Sequence, residues 1–146
     1  MTGEPCFEVP ARLGRLAEAL AAVQRAGEGL GLSSGDQQRV RLLTEELFTN
    51  TVLHGHGGGS DAPVRLTLRR EASAAVDAIE LVYEDTAPPF DPTQAALGAQ
   101  AALDVAAADR PEGQMGLPLI LGLAAQVGYR RVAGWNRLRL VLLCRP

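Results

Sequence analysis

The chain has 146 residues, 47% hydrophobic and 21% charged, with net charge −3 at pH 7. That length holds one core, so residues 1–146 are expected to form a single domain. Mixed acidic and basic residues exclude the broad basic surface that general nucleic-acid binding needs.

No apolar run approaches membrane-spanning length. The start, Met1-Thr2-Gly3-Glu4-Pro5, lacks the basic-then-apolar pattern of a signal peptide, so a cytoplasmic protein is expected. Cys6 and Cys144 lie near opposite ends in no metal-like spacing, and read as reduced thiols in the core.

Phe7-Glu8-Val9 is a short strand stopped by Pro10. Leu13, Leu16, Ala17, Leu20 and Val23 recur at helical spacing, in a helix ending near Gly27, Gly29 and Gly31. These glycines follow a helix rather than a strand, which excludes a dinucleotide loop. Ser34 and Gln37 form a capping box for a second helix. It carries Val40, Leu43, Leu47 and Thr51 on one stripe and runs to about Leu53. A flexible loop from His54 to Gly59 should end it. Val64 to Arg69 and Ile79 to Tyr83 alternate as strands.

The Ala-rich stretch from Pro92 to Arg110 has little pattern, with a short helix expected within Leu97 to Ala108. Leu117 to Ala125 reads as a helix. Tyr129 to Val132 and Leu138 to Leu143 read as closing strands around a turn at Gly134-Trp135-Asn136. Short turns between neighbouring strands imply antiparallel pairing. The expected fold is α/β: a two-layer sandwich of a mixed, mainly antiparallel sheet covered by helices on one face.

Three segments carry candidate chemistry. Glu46 and Asn50, four residues apart, share a helix face. Asn offers a neutral oxygen that helps hold Mg²⁺ within its water shell. Glu offers a base for the proton of an attacking hydroxyl or water. The same spacing also suits a polar, ion-pairing helix face. Asp85 follows an apolar strand, and either accepts a hydrogen bond from an exocyclic amine or helps the chain turn before Pro88 and Pro89. Phe90 either walls a base pocket or anchors the loop, and the core role is expected.

Gly113-Gln114-Met115-Gly116-Leu117 is a glycine loop opening a helix, which suits phosphate at the helix start or simply a flexible entry. It lacks the Gly-Lys-Ser/Thr of a P-loop. His54 and His56 alone do not make a metal site. His54 lies near the face of Glu46 and is expected to support it.

Together, Glu46-x-x-x-Asn50 resembles the N box, Asp85 through Pro92 the G1 box, and Gly113 to Leu117 the G2 box of the GHKL (histidine kinase-like) ATPases. Glu46 through Gly55, Pro89 to Pro92, and Gly134 to Leu140 look like the small anti-sigma-factor serine/threonine kinases. The resemblance implies a Bergerat-type fold binding ATP and Mg²⁺. Asn50 would ligate the metal, Glu46 would be the general base, and Asp85 would read the adenine amine. His54, Ala87, Phe90, Gly113, Gln114, Met115, Gly116 and Leu117 would complete the nucleotide site, with an ATP lid from about Ala95 to Met115.

Implied partners are a STAS-type anti-anti-sigma protein, phosphorylated on Ser or Thr, and a sigma factor or other regulated protein; family members commonly form homodimers. Ala87 stands at the G1 glycine and Gln114 at the second glycine of the G2 box. Ala87 adds a methyl beside the expected base pocket, and Gln114 restricts φ. A second reading is a nucleotide-binding regulatory module with weak or no catalysis that sequesters a partner. A third, a detached histidine-kinase catalytic domain, needs a phosphoacceptor His in an upstream helical segment, and neither His lies in one.

Overall fold

The computed structural model describes residues 6–72, 75–93 and 121–145. Strand β1 (Cys6–Pro10) leads through a 3₁₀ turn (Leu13–Arg15) into helix α1 (Leu16–Gly29). Helix α2 (Ser34–Asn50) continues directly into a π-helical turn (Thr51–Gly55). Strands β2 (Pro63–Ala72) and β3 (Asp77–Asp85) follow, and then β4 (Gln126–Val132) and β5 (Trp135–Leu143).

The sheet order is β1-β2-β3-β5-β4. Every described pairing is antiparallel, so the expected parallel component does not appear among the described residues. The rest of the fold expectation holds: two helices pack against this sheet.

The core forms where helical and strand periodicities meet. Val40, Leu43, Leu47 and Phe48 of α2, with Ala19 and Val23 of α1, pack on alternate sheet residues. Those are Val64, Leu66 and Leu68 from β2, Ile79 and Leu81 from β3, and Leu138, Leu140 and Leu142 from β5. Phe48 is fully buried, and its truncation to Ala would cost about 3–5 kcal/mol. The opposite sheet face carries cross-strand ion pairs, among them Arg65 with Glu8 at 2.7 Å and Arg137 with Glu84 at 3.0 Å.

Ends of elements depart from the sequence expectation. Ser33, not Ser34, caps α2: its hydroxyl accepts from the Asp36 N–H at 3.1 Å. The Gln37 amide instead donates to the Gln24 carbonyl of α1 at 3.2 Å. Asp36 and Arg39 form a pair 2.5 Å apart at the start of α2. Arg39 also donates to the Leu143 carbonyl at 2.6 Å, fastening the end of β5 to α2.

The segment expected to loop from His54 remains helical to Gly55, with the His56 N–H reaching the Thr51 carbonyl at 2.9 Å. After Leu121 the chain has left the helix expected to reach Ala125. Cys6 is exposed and Cys144 half-buried, so Cys6 does not join the core; both are free thiols. Burial pushes the Cys144 thiol up to about 11, beyond the range of a reactive thiolate.

The β4–β5 turn matters most for the site. It is the two-residue loop Ala133-Gly134, with Val132 paired to Trp135. Both loop residues have positive φ, 49° and 88°, as the tight hairpin turn demands. Trp135 and Asn136, expected within the turn, are therefore strand residues. Asn136 falls in phase with Leu138, Leu140 and Leu142, on the core side.

Ala133 holds a left-handed conformation that disfavours side chains other than Asn and Asp. Ala133→Asn is expected to stabilise the fold by about 1 kcal/mol, read as a raised urea midpoint at constant slope. An unchanged midpoint would contradict this turn geometry.

Candidate functional site

At one end of the core, between the end of α2 and the turn after β3, lies a cavity of about 330 Å³. That is within the usual size range for small-molecule sites. Asn50, Thr51, His54 and Gly55 wall it from the helix, and the turn contributes Asp85, Ala87 and Phe90. Tyr83, Tyr129, Asn136 and Leu138 close it from the sheet. The lining is mainly apolar, with a few polar groups converging on Asp85.

Asp85 is 8% exposed and ends β3, where the strand leaves its pairing with β5. Burying a carboxylate without partners costs several kcal/mol, so its surroundings must donate. The Thr51 hydroxyl donates to Oδ2 at 2.8 Å. Asn136 Nδ2 and the Ala87 N–H donate to Oδ1 at 2.8 and 3.2 Å. Two donors fill the lone pairs of Oδ1, while Oδ2 takes only one among the described residues. Asp85 therefore keeps one acceptor position for a ligand donor.

The Tyr83 hydroxyl lies 2.6 Å from Thr51 Oγ1 and 3.1 Å from the Leu47 carbonyl. Burial raises the Tyr83 phenol well above its ordinary range; the Thr51 hydrogen bond lowers it and the Asp85 charge raises it further. When the phenol donates to Thr51 Oγ1, the Thr51 proton is free for Asp85 Oδ2.

Asn50 lines the cavity with Nδ2 buried and unpartnered among the described residues. Such an orphan is costly unless a ligand meets the amide. Glu46, one turn earlier on α2, is half-buried and does not line the cavity. His54 is an exposed residue on the cavity wall. Phe90 is 49% exposed on the cavity, not anchored in the core; its backbone N–H, not its ring, ties the turn to β5 through Asn136 at 3.3 Å. Gly113, Gln114, Met115, Gly116 and Leu117 lie outside the described residues, as does the helix expected within Leu97 to Ala108.

Ala87 is 2% exposed, and its methyl is directed at Gly55. A Cβ on residue 55 would stand 2.9 Å from that methyl, so the glycine ending the π-helical turn makes room for it. The methyl expected beside a base pocket thus also packs on the helix, while Ala87 lines the cavity.

Sequence reading passed over Thr51, Tyr83, Tyr129 and Asn136. The available signal was parity: Asn136 shares the strand phase of three core leucines, where a polar residue needs a reason.

The chain matches the profile of the histidine kinase-like ATPase domain over residues 9–142. It is also similar to a chain in the solved structure of the SiaB–SiaC complex from Pseudomonas aeruginosa, with a TM-score of 0.58 and 14% identity. That match covers 94% of this chain and 88% of the other, and at such identity the likeness concerns the fold. No significant match is found among curated proteins.

The Gly55–Ala87 contact is testable by a double-mutant cycle. Gly55→Ala should destabilise the fold by about 1–3 kcal/mol through overpacking. Ala87→Gly in the same chain should recover most of that loss. Strictly additive unfolding energies would mean that the two residues do not meet.

Proposed function

The chain belongs to the histidine kinase-like ATPase family, and from that premise we propose that it is an ATP-dependent serine/threonine protein kinase acting as an anti-sigma factor. Its substrate is a hydroxyl side chain on a STAS-type anti-anti-sigma partner in a partner-switching system. The observation that carries this reading is the grouping of Asn50, Asp85, Ala87 and Phe90 around one apolar cavity, with Glu46 one helical turn away, half-open and outside it. A base that must serve a second protein's hydroxyl belongs at such a rim.

ATP suits the residues present. The open lone pair of Asp85 matches the exocyclic amine of adenine, and Leu138, Ala87 and Phe90 offer apolar surface for a base. The described residues contain no cluster of three or more His, Cys, Asp or Glu that would cage a cation. That suits Mg²⁺, which keeps waters and phosphate oxygens and takes few protein ligands. Asn50 would be its protein ligand, and the ion would supply charge neutralisation at the phosphates.

Glu46 takes the proton from the partner's hydroxyl as that oxygen bonds to the γ-phosphorus, and the β–γ bridging bond breaks to leave ADP. His54 and the segment Gly113-Gln114-Met115-Gly116-Leu117 complete the proposed nucleotide site. The second protein in the SiaB–SiaC structure supports a protein as the recipient. A sigma factor or other regulated protein is the alternate partner, the active form is a homodimer, and the compartment is the cytoplasm. No described helix is long and apolar enough to cross a membrane, which is compatible with this.

A second reading, a regulatory module without catalysis, drew on Ala87 and Gln114 at glycine positions. The methyl of Ala87 packs toward Gly55, a contact between protein groups, and Ala87 still lines the cavity.

The test is single-turnover transfer from labelled ATP to a STAS-domain protein. Glu46→Gln should keep ATP affinity and lose about 10²–10⁴-fold in transfer, the usual share of a general base. Asn50→Ala should lose the Mg²⁺-dependent part of ATP affinity in calorimetry. A loss under about threefold in Glu46→Gln, far below the contribution of a general base, would remove Glu46 as the base. Tight ATP binding with no transfer by wild type would favour the module.

A further inference from the structure

We infer that Asn136 is a positioning residue: it fixes the Asp85 carboxylate and the turn after it, and so sets how strongly the cavity selects a purine carrying a 6-amino group. This rests on the ATP reading above.

Asn136 is 7% exposed on β5, directly paired with Asp85 on β3. Its Nδ2 donates to Asp85 Oδ1 at 2.8 Å and to the Ala87 and Pro88 carbonyls at 3.1 Å each. Its Oδ1 accepts from the Tyr129 hydroxyl at 2.5 Å and the Phe90 N–H at 3.3 Å. An amide has two N–H groups and two lone pairs on oxygen, so this one has no capacity left for a ligand. Its effect on a ligand must pass through the groups it holds.

The orientation of the amide is also determined. Tyr129 and the Phe90 N–H are donors, so oxygen must face them and nitrogen must face Asp85. A reversed amide would set donor against donor at one end and acceptor against carboxylate at the other. With Asn136 and Ala87 occupying Oδ1, and Thr51 on Oδ2, Asp85 has one lone pair open among the described residues, in a fixed direction.

A single fixed acceptor discriminates: a ligand amine satisfies it, and a ligand lacking the amine leaves a buried carboxylate position unmet. Without Asn136, Oδ1 regains a free lone pair and the Pro88 carbonyl loses this donor. The Ala87 carbonyl keeps Arg131 at 2.7 Å. The carboxylate can then turn toward water, and the advantage of the amine falls.

The experiment titrates ATP and purine riboside 5′-triphosphate, which lacks the 6-amino group, into the full chain with Mg²⁺. Wild type should prefer ATP by on the order of 10–100-fold, the worth of one buried hydrogen bond left unmet. Asn136→Ala should cut that preference about tenfold, mainly by weakening ATP. Tyr129→Phe, which removes one of the two donors orienting the amide, should cut it about threefold.

Leu142→Val, a core change on the same strand away from the cavity, should lower stability and leave the preference unchanged. That contrast separates positioning from general loosening. An unchanged preference in Asn136→Ala, with wild type binding ATP, would overturn the inference alone. If Asn136→Ala does not fold, Tyr129→Phe decides it in the same way. Failure of wild type to bind either nucleotide would overturn the ATP reading and this inference with it.

Discussion

A buried carboxylate is the constraint around which this molecule is arranged. Asp85 sits at the end of β3 with 8% exposure, where an unpaired charge would cost several kcal/mol. Its donors come from three places: Thr51 at the end of α2, the Ala87 N–H of the following turn, and Asn136 on β5. Two of these donors are held in turn by others, Thr51 by Tyr83 and Asn136 by Tyr129 and the Phe90 N–H. Satisfying one charge thus fixes the helix end, the turn and the strand register together. The cavity is the space left among those elements.

The end of α2 shows the same coupling from the helix side. The Thr51 hydroxyl lies within hydrogen-bond reach of the Leu47 carbonyl, Tyr83 and Asp85, and there the helix widens into a π turn. Such widenings often mark functional segments, because they redirect side chains that regular geometry would stack. Here it carries His54 to the cavity wall and sets Gly55 against Ala87. The small residue on the helix and the methyl on the turn fit each other, so a departure at one position has its complement at another.

The two sheet faces contribute differently. The core face buries its leucines and valines under α1 and α2, and that burial dominates stability. The other face is laced with arginine–carboxylate pairs, Arg139 with Glu80 among them, many of them exposed and each worth about 0–1 kcal/mol. Cavity and core share one side, so the rigid packing that stabilises the fold also positions the polar groups of the site. In the proposed kinase, binding groups lie within that rigid frame and the base lies at its rim, where a second protein can reach it.

The sequence by itself determined most of the elements. Helical spacing at Val40, Leu43 and Leu47, and alternation through Val64 to Leu68 and Ile79 to Tyr83, follow from local chain geometry. The four-residue step sets Glu46 and Asn50 one helical turn apart, and of the two only Asn50 lines the cavity. What the sequence left open was decided by contacts between distant residues. Ser33 rather than Ser34 caps α2, and Phe90 faces the cavity rather than the core. Asn136 moved from an expected turn into a strand because the loop closed at Ala133-Gly134, and one residue of register reverses every side chain on a strand. Its partner Asp85 lies 51 residues away in sequence. Periodicity tells which residues are turned inward; only tertiary pairing tells which buried polar group each of them must satisfy.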